Sequence, residues 1–243
     1  MENKSKDLPF LAHLKELRKR LLASVVAVII GFVIVFVGFS PWLLSFLSTP
    51  LTERGVLIIH TGLAEAFATQ MRISLIGGVI ISAPVVLWQF WSFFGPALYP
   101  RERLAFLSTF CVIVLLFITG VLFAYFLVFN IAVNFFLLSG EGLATPMISI
   151  DRYVSMLMGF VLPFGIMFQL PVIITILYKL GIVSTQSLIK ARKYVVFATF
   201  VISSLITPPD VVSLMMLAVP ICLLYEASVL ISRFSKKSQK QDV

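Results

Sequence analysis

Charged residues are scarce in this sequence: only 12% of its 243 positions are Asp, Glu, Lys or Arg. A water-soluble domain carries about 25%. Too few ionised side chains exist to cover a soluble surface, which excludes an ordinary globular fold in water. Cysteine occurs twice, as Cys111 and Cys222, each inside an apolar stretch. That excludes a disulfide framework and leaves no redox or metal pair. Histidine also occurs twice, as the isolated His13 and His60, so neither a metal site nor a cofactor is expected. There is no P-loop, no Gly-rich dinucleotide turn, no Ser/His/Asp set and no H-E-x-x-H run, and nothing supports an enzyme. An internal repeat is missing too, which removes the usual support for an inverted-repeat carrier.

Apolar residues fill the space left: 60% of the chain is hydrophobic and the mean hydropathy is +1.05. Lipid is the solvent that suits such a composition. The chain reads as an all-α polytopic membrane protein. Its net charge of +8 could suggest nucleic acid, but the basic residues lie between apolar runs and at both ends, as membrane topology requires. No nucleic-acid partner is expected. The first apolar run exceeds a signal-peptide core and lacks an A-x-A-like end, so it reads as a retained span.

Residues 1–21 form the first expected region. Leu8, Leu11, Leu14, Leu17 and Leu21 recur at helical steps among basic neighbours, as in an amphipathic segment on a membrane surface. A single six-span membrane domain is expected over 22–231, and a basic disordered tail over 232–243. The spans are Leu22–Phe39, Met71–Trp91, Leu104 to about Val128, Val154–Leu177, Tyr194–Ile206 and Val211–Ile231. Segments 40–70 and 128–153 are expected outside the hydrocarbon, and 179–193 as a basic loop. Pro84, Pro163 and Pro171 are expected to kink their spans into a concave, glove-like wall. The fifth run is only 13 residues long, about 20 Å against a hydrocarbon core of ~30 Å.

Lys and Arg set the orientation. Sixteen of the 19 fall in the N-terminal segment, the loops after spans two and four, and the tail; Arg54, Arg72 and Arg152 make up the other side. By the positive-inside rule both termini are cytoplasmic.

Few residues could carry chemistry. Glu16 is spaced for an i,i+4 pair with Arg20, worth ~0.3–0.5 kcal/mol, or stands as a surface acceptor for a cationic partner. Glu102 is the one acid of a proline-stiffened, aromatic loop at 92–103, either a solvated charge or the centre of a recognition surface. Gln169 and Glu226 are polar positions within spans, and Asp210 stands at the outer end of span six. Such groups at membrane depth are functional candidates by default.

Five motifs occur in order: H-L-K-E-L-R-K-R at 13–20, F-x-x-P-A-L-x-x-x-E at 93–102, F-A-Y-F at 123–126, F-Q-L-P at 168–171 and T-P-P-D at 207–210. In this order, over roughly residues 8 to 232, the chain resembles the TatC subunit of the twin-arginine protein translocase. The resemblance implies a receptor for Arg-Arg signal peptides in a bacterial cytoplasmic membrane, exporting folded cargo on the proton-motive force. It places signal recognition on Glu16 and Glu102, with Arg18, Phe93, Pro96 and Arg103 at neighbouring motif positions. Pro50 and Tyr125 match positions on or near the outer side. TatA-like single-span partners, with or without a TatB-like one, and self-association are implied as well. Two departures stand out: Gln169 replaces a common Glu, and Leu214 replaces a common polar residue. A small secondary solute carrier is the alternative, and it would need more polar groups at mid-membrane than Gln169.

Overall fold

The computed structural model describes residues 7–98, 103–140, 146–207 and 210–239. The elements run α1 (Asp7–Ile34), a π-helical turn (Val35–Phe39), α2 (Ser40–Thr52), β1 (Leu57–Ile59), α3 (Glu65–Leu98) and α4 (Arg103–Phe123). A second π-helical turn (Ala124–Phe129) follows, then α5 (Asn130–Ser139), β2 (Met147–Ser149), α6 (Ile150–Met167), α7 (Leu170–Lys179), α8 (Thr185–Ile206) and α9 (Val211–Gln239). Among the described residues, five helical stretches are long and apolar enough to cross a membrane: Lys15–Thr52, Glu65–Phe93, Leu104–Ser139, Ile150–Lys179 and Val211–Ser232. The sixth expected span is α8. Its 22 residues reach about 33 Å, but Lys190, Arg192 and Lys193 leave only its second half apolar.

Several expected boundaries move. The helix of the first span continues to Thr52, because Trp42, Leu43, Leu44, Phe46 and Leu47 extend the apolar run and Pro41 is tolerated in a first helical turn. The third continues through α5 to Ser139 for the same reason. Segments 40–70 and 128–153 are therefore partly helical. The basic loop expected over 179–193 shrinks to 180–184: Gly181, at φ +71°, ends α7, and the Ser184 hydroxyl accepts from Ser187 N to start α8. α9 runs through Gln239, past the expected start of a disordered tail at 232, since no Gly or Pro interrupts it there. Pro163 lies inside α6 without ending it; the break falls at Phe168–Gln169, just ahead of Pro171 in α7. A short parallel ladder, absent from the all-helical expectation, pairs Leu57 with Met147, Ile58 with Ile148 and Ile59 with Ser149.

The chain forms two compact units. One comprises Met1–Ser45 with Gln70–Val114, the other Phe46–Thr69 with Leu115–Val243. In the first, α1 and α3 cross backbone to backbone: a Cβ on Gly78 would stand 2.5 Å from Phe32 N, and one on Gly31 2.6 Å from Gly78 O. Trp91 Nε1 donates to Phe106 O at 3.0 Å, and the Trp88 ring meets Phe110 edge-on at 4.7 Å, tying α3 to α4. In the second unit Phe129, Leu157, Phe160, Phe164 and Leu217 form the fully buried centre. Ile174, Leu188, Tyr225 and Val229 join α7, α8 and α9, with Tyr225 Oη donating to Leu188 O at 2.7 Å.

Candidate functional site

Glu16, Arg18 and Arg20 sit on α1 within the first unit, all described side chains from Lys15 to Lys19 being exposed. Helical spacing puts Glu16 and Arg20 on one face. Arg20 Nε donates to Glu16 Oε1 at 3.0 Å and Arg20 Nη2 to the same oxygen at 2.6 Å. Arg20 Nη1 reaches Gln89 O of α3 at 3.4 Å. Beside this guanidinium lies a small apolar hollow lined by Leu17, Arg20, Leu21, Ser24, Gln89, Phe90 and Phe93. Of the sequence-predicted site residues, Phe93 is thus brought to the same place as the partner of Glu16. The backbone at Pro96 is helical, at the end of α3, and Arg103 begins α4. Glu102 lies outside the described residues.

Pro50 and Tyr125 come together in the second unit, and the reason is chemical. Pro50, inside α2, has no N–H to give the carbonyl four residues back, which belongs to Phe46. Tyr125 Oη donates to that carbonyl at 3.1 Å, its ring stacked on Phe46 at 5.5 Å. Tyr153 Oη donates to the next one, Leu47 O, at 2.7 Å. Asn130 Nδ2 donates to the Tyr125 and Phe126 carbonyls of the π-helical turn, at 3.3 and 3.2 Å. Arg54 closes the circuit, from Nη1 to Pro50 O at 2.5 Å and from Nη2 to Asn130 Oδ1 at 3.4 Å. Two motif positions distant in sequence are therefore the two halves of one backbone repair.

Glu65 was not singled out from sequence, yet it is the most hydrogen-bonded carboxylate among the described residues. One oxygen accepts from Thr61 N, Thr61 Oγ1 (2.7 Å) and Gly62 N (3.0 Å); the other accepts from Ser149 Oγ and Asp151 N (3.3 Å). It thereby joins the loop before α3 to the end of β2 and the start of α6. The carboxylate stands at the loop end of α3, ahead of the apolar run that opens at Met71. The Ser149 and Thr61 hydroxyls hold its pKa down to about 2, against an ordinary value of 4.5. An acid in the first turn of a helix is the one sequence signal that could have flagged it.

The remaining candidates are separate from one another. Gln169 is buried at the α6–α7 break, where its N–H donates to Ile166 O and its carbonyl accepts from Ile173 N. Asp210 caps α9, its Oδ1 accepting from Ser213 N at 2.7 Å. Glu226 pairs with Arg192 of α8 through a 2.6 Å contact, both side chains roughly two-fifths exposed. Among the described residues no group of three or more His, Cys, Asp or Glu could hold a metal ion.

Comparison with known proteins gives a consistent answer. The sequence model of the Sec-independent protein translocase protein (TatC) matches residues 12–220. TatC of Carboxydothermus hydrogenoformans is 40% identical over 235 residues, 96% of both chains. TatC of Aquifex aeolicus is 38% identical over 238 residues, covering 96% of this chain and 98% of its own. For TatC of Escherichia coli K12 the figures are 39% over 229 residues, 93% and 88%. A crystal structure described as the twin-arginine translocase receptor TatC superposes with a TM-score of 0.85, at 39% identity, over 92% of this chain and 99% of that one. From its helices, its ordered motifs and these likenesses, the chain belongs to the TatC family of Sec-independent protein translocase proteins.

Proposed function

We propose that this chain is the receptor subunit of a twin-arginine translocase in a bacterial cytoplasmic membrane. It presents Glu16 and Glu102 at the cytoplasmic face to the arginine pair of a signal peptide, for export of folded cargo driven by the proton-motive force. The observation that carries the reading is the state of Glu16, whose carboxylate already holds a guanidinium through two donors. A carboxylate and a guanidinium make two parallel charge-assisted bonds, whereas a lysine offers one point charge. Two arginines are costly to place in lipid, at ~2.5–3.5 kcal/mol each on insertion scales, so a receptor does best to meet them at the surface. Phe93 and the hollow beside Arg20 supply apolar contact for the residues that follow the pair. Nothing in this role calls for bond-making chemistry: the protein binds, orients and releases a peptide.

The partners of this reading are TatA-like single-span subunits, with or without a TatB-like one, and further copies of the chain. Asp210, at the start of α9, is a candidate contact for them. Leu214 makes that end of the helix less polar than the family pattern, and Gln169 offers a hydrogen-bonding group without a titrating proton.

Peptide affinity in nanodiscs for the four combinations of Glu and Ala at 16 and 102 tests the recognition. Each single change should weaken binding by about 1–3 kcal/mol, with losses that do not add because both groups hold one ligand. Glu102→Lys should be worse than Ala. Equal affinity across the set, with every variant folded, would remove the receptor assignment.

A further inference from the structure

We propose that Arg20 is an internal stand-in for the cargo's arginine: in the unliganded protein it occupies Glu16, and a signal peptide must displace it. The inference rests on the receptor reading of Glu16 and extends it to how that site is regulated. Three observations carry it. First, Arg20 directs two donors to one Glu16 oxygen, at 3.0 and 2.6 Å, and so engages the acceptor that an incoming guanidinium would also seek. Second, its third nitrogen is turned toward Gln89 O at 3.4 Å, and the side chain is 21% exposed against 47% for Glu16. The guanidinium is therefore anchored toward α3 while the carboxylate faces solvent, where a peptide arrives. Third, Arg20 lines the apolar hollow with Phe90 and Phe93, so a peptide seated there would lie beside the pair it must open.

Competition outweighs positioning on physical grounds. Glu16 is in the interior of the 28-residue α1, so the helix already fixes where its side chain starts. Removing Arg20 costs the carboxylate little orientation, and it removes both a competitor for that carboxylate and a positive charge that repels the peptide's arginines. An exposed i,i+4 pair is weak, so the rival is easily displaced by a ligand bringing two arginines and an apolar segment, but not by one stray cation. The internal pair therefore raises the threshold for binding without closing the site. It also discriminates: a lysine pair, with a point charge for each fork, competes with Arg20 on worse terms.

The test is the affinity of an Arg-Arg peptide and its Lys-Lys counterpart for the full chain in nanodiscs. Arg20→Gln should tighten Arg-Arg binding by about two- to fivefold and narrow the Arg-Arg over Lys-Lys preference. Lys15→Gln removes the same charge one residue from Glu16, off its face, and should change affinity less. In a Glu16→Gln background the gain from Arg20→Gln should vanish, while any effect of Lys15→Gln persists. Arg20→Lys keeps the charge and loses the fork, so it should fall between wild type and Gln; it also carries the test if the Gln variant folds poorly. Unchanged or weaker binding by folded Arg20→Gln, or a gain that survives Glu16→Gln, overturns the stand-in role while leaving the receptor standing. No preference for Arg-Arg in the wild type overturns both.

Discussion

Pro50 leaves the Phe46 carbonyl without its helical donor, and Tyr125 supplies one from another element. An interhelical hydrogen bond in a membrane protein is worth about 0.5–2 kcal/mol, and a buried carbonyl left bare costs in the same range. Tyr125→Phe should therefore lower the thermal midpoint in detergent while keeping the ring's stacking on Phe46. Pro50→Ala restores an N–H for that carbonyl, so in its background Tyr125→Phe should be nearly silent. Equal losses in both backgrounds would show that the hydroxyl acts elsewhere. Glu65 calls for a pH measurement instead. Its folded-state pKa of about 2 lies below the ordinary 4.5, so it stabilises the fold fully above that ordinary value and loses the contribution as pH falls from there toward 2. Thermal midpoints taken from pH 7 to pH 3 should decline in the wild type below about 4.5, and decline less in Glu65→Gln, which cannot titrate. Parallel curves would assign the acid sensitivity to other carboxylates.

At the scale of elements the test is a pair of glycines. Gly78 stands where α3 touches α1, and an added Cβ would meet backbone at 2.5 Å; at Gly38 nothing lies within 4 Å. Gly78→Ala should force the helices apart at about 1–3 kcal/mol, seen as lower detergent-extracted yield and midpoint, while Gly38→Ala should be close to neutral. Similar behaviour of the two would mean the crossing is not tight. Neither glycine is distinguishable in the sequence, because close approach is a property of two helices together. Hydropathy located the five helical stretches that are long and apolar enough to cross a membrane, but not their ends: the apolar runs continue from α1 into α2 and from α4 into α5, and apolar length does not mark where helices stop. The three-residue ladder escaped notice because its strands are some ninety positions apart and too short for a period-two signal. Glu16 was legible because its partner is four residues on. Pro50 and Tyr125 were legible as motif positions, but their link was not, since it runs from a side chain to a backbone carbonyl in another element. Glu65 needs Ser149 and Asp151, and sequence alone does not bring them near.

For the whole molecule the decisive quantity is orientation. Sixteen of 19 basic residues fall in the two termini and the loops expected on their side of the spans, the side that the positive-inside rule favours as cytoplasmic. Six spans also require that both termini share a side. The proposed receptor role depends on this, because it requires Glu16 and the N-terminal segment to meet the signal peptide in the cytoplasm. In a background with Cys111 and Cys222 replaced by serine, single cysteines at Ser5 and Ser238 should react with an impermeant maleimide only after the membrane is opened. A cysteine at His60, exposed in the loop before α3, should react in intact cells. The same three variants should still export an Arg-Arg cargo, which ties the labelling to the working protein. Labelling of Ser238→Cys from outside, with Ser5→Cys protected, would leave an odd number of spans and put the tail on the wrong face. Labelling of both termini from outside would put Glu16 out of reach of the signal, and the receptor reading would fall with the topology.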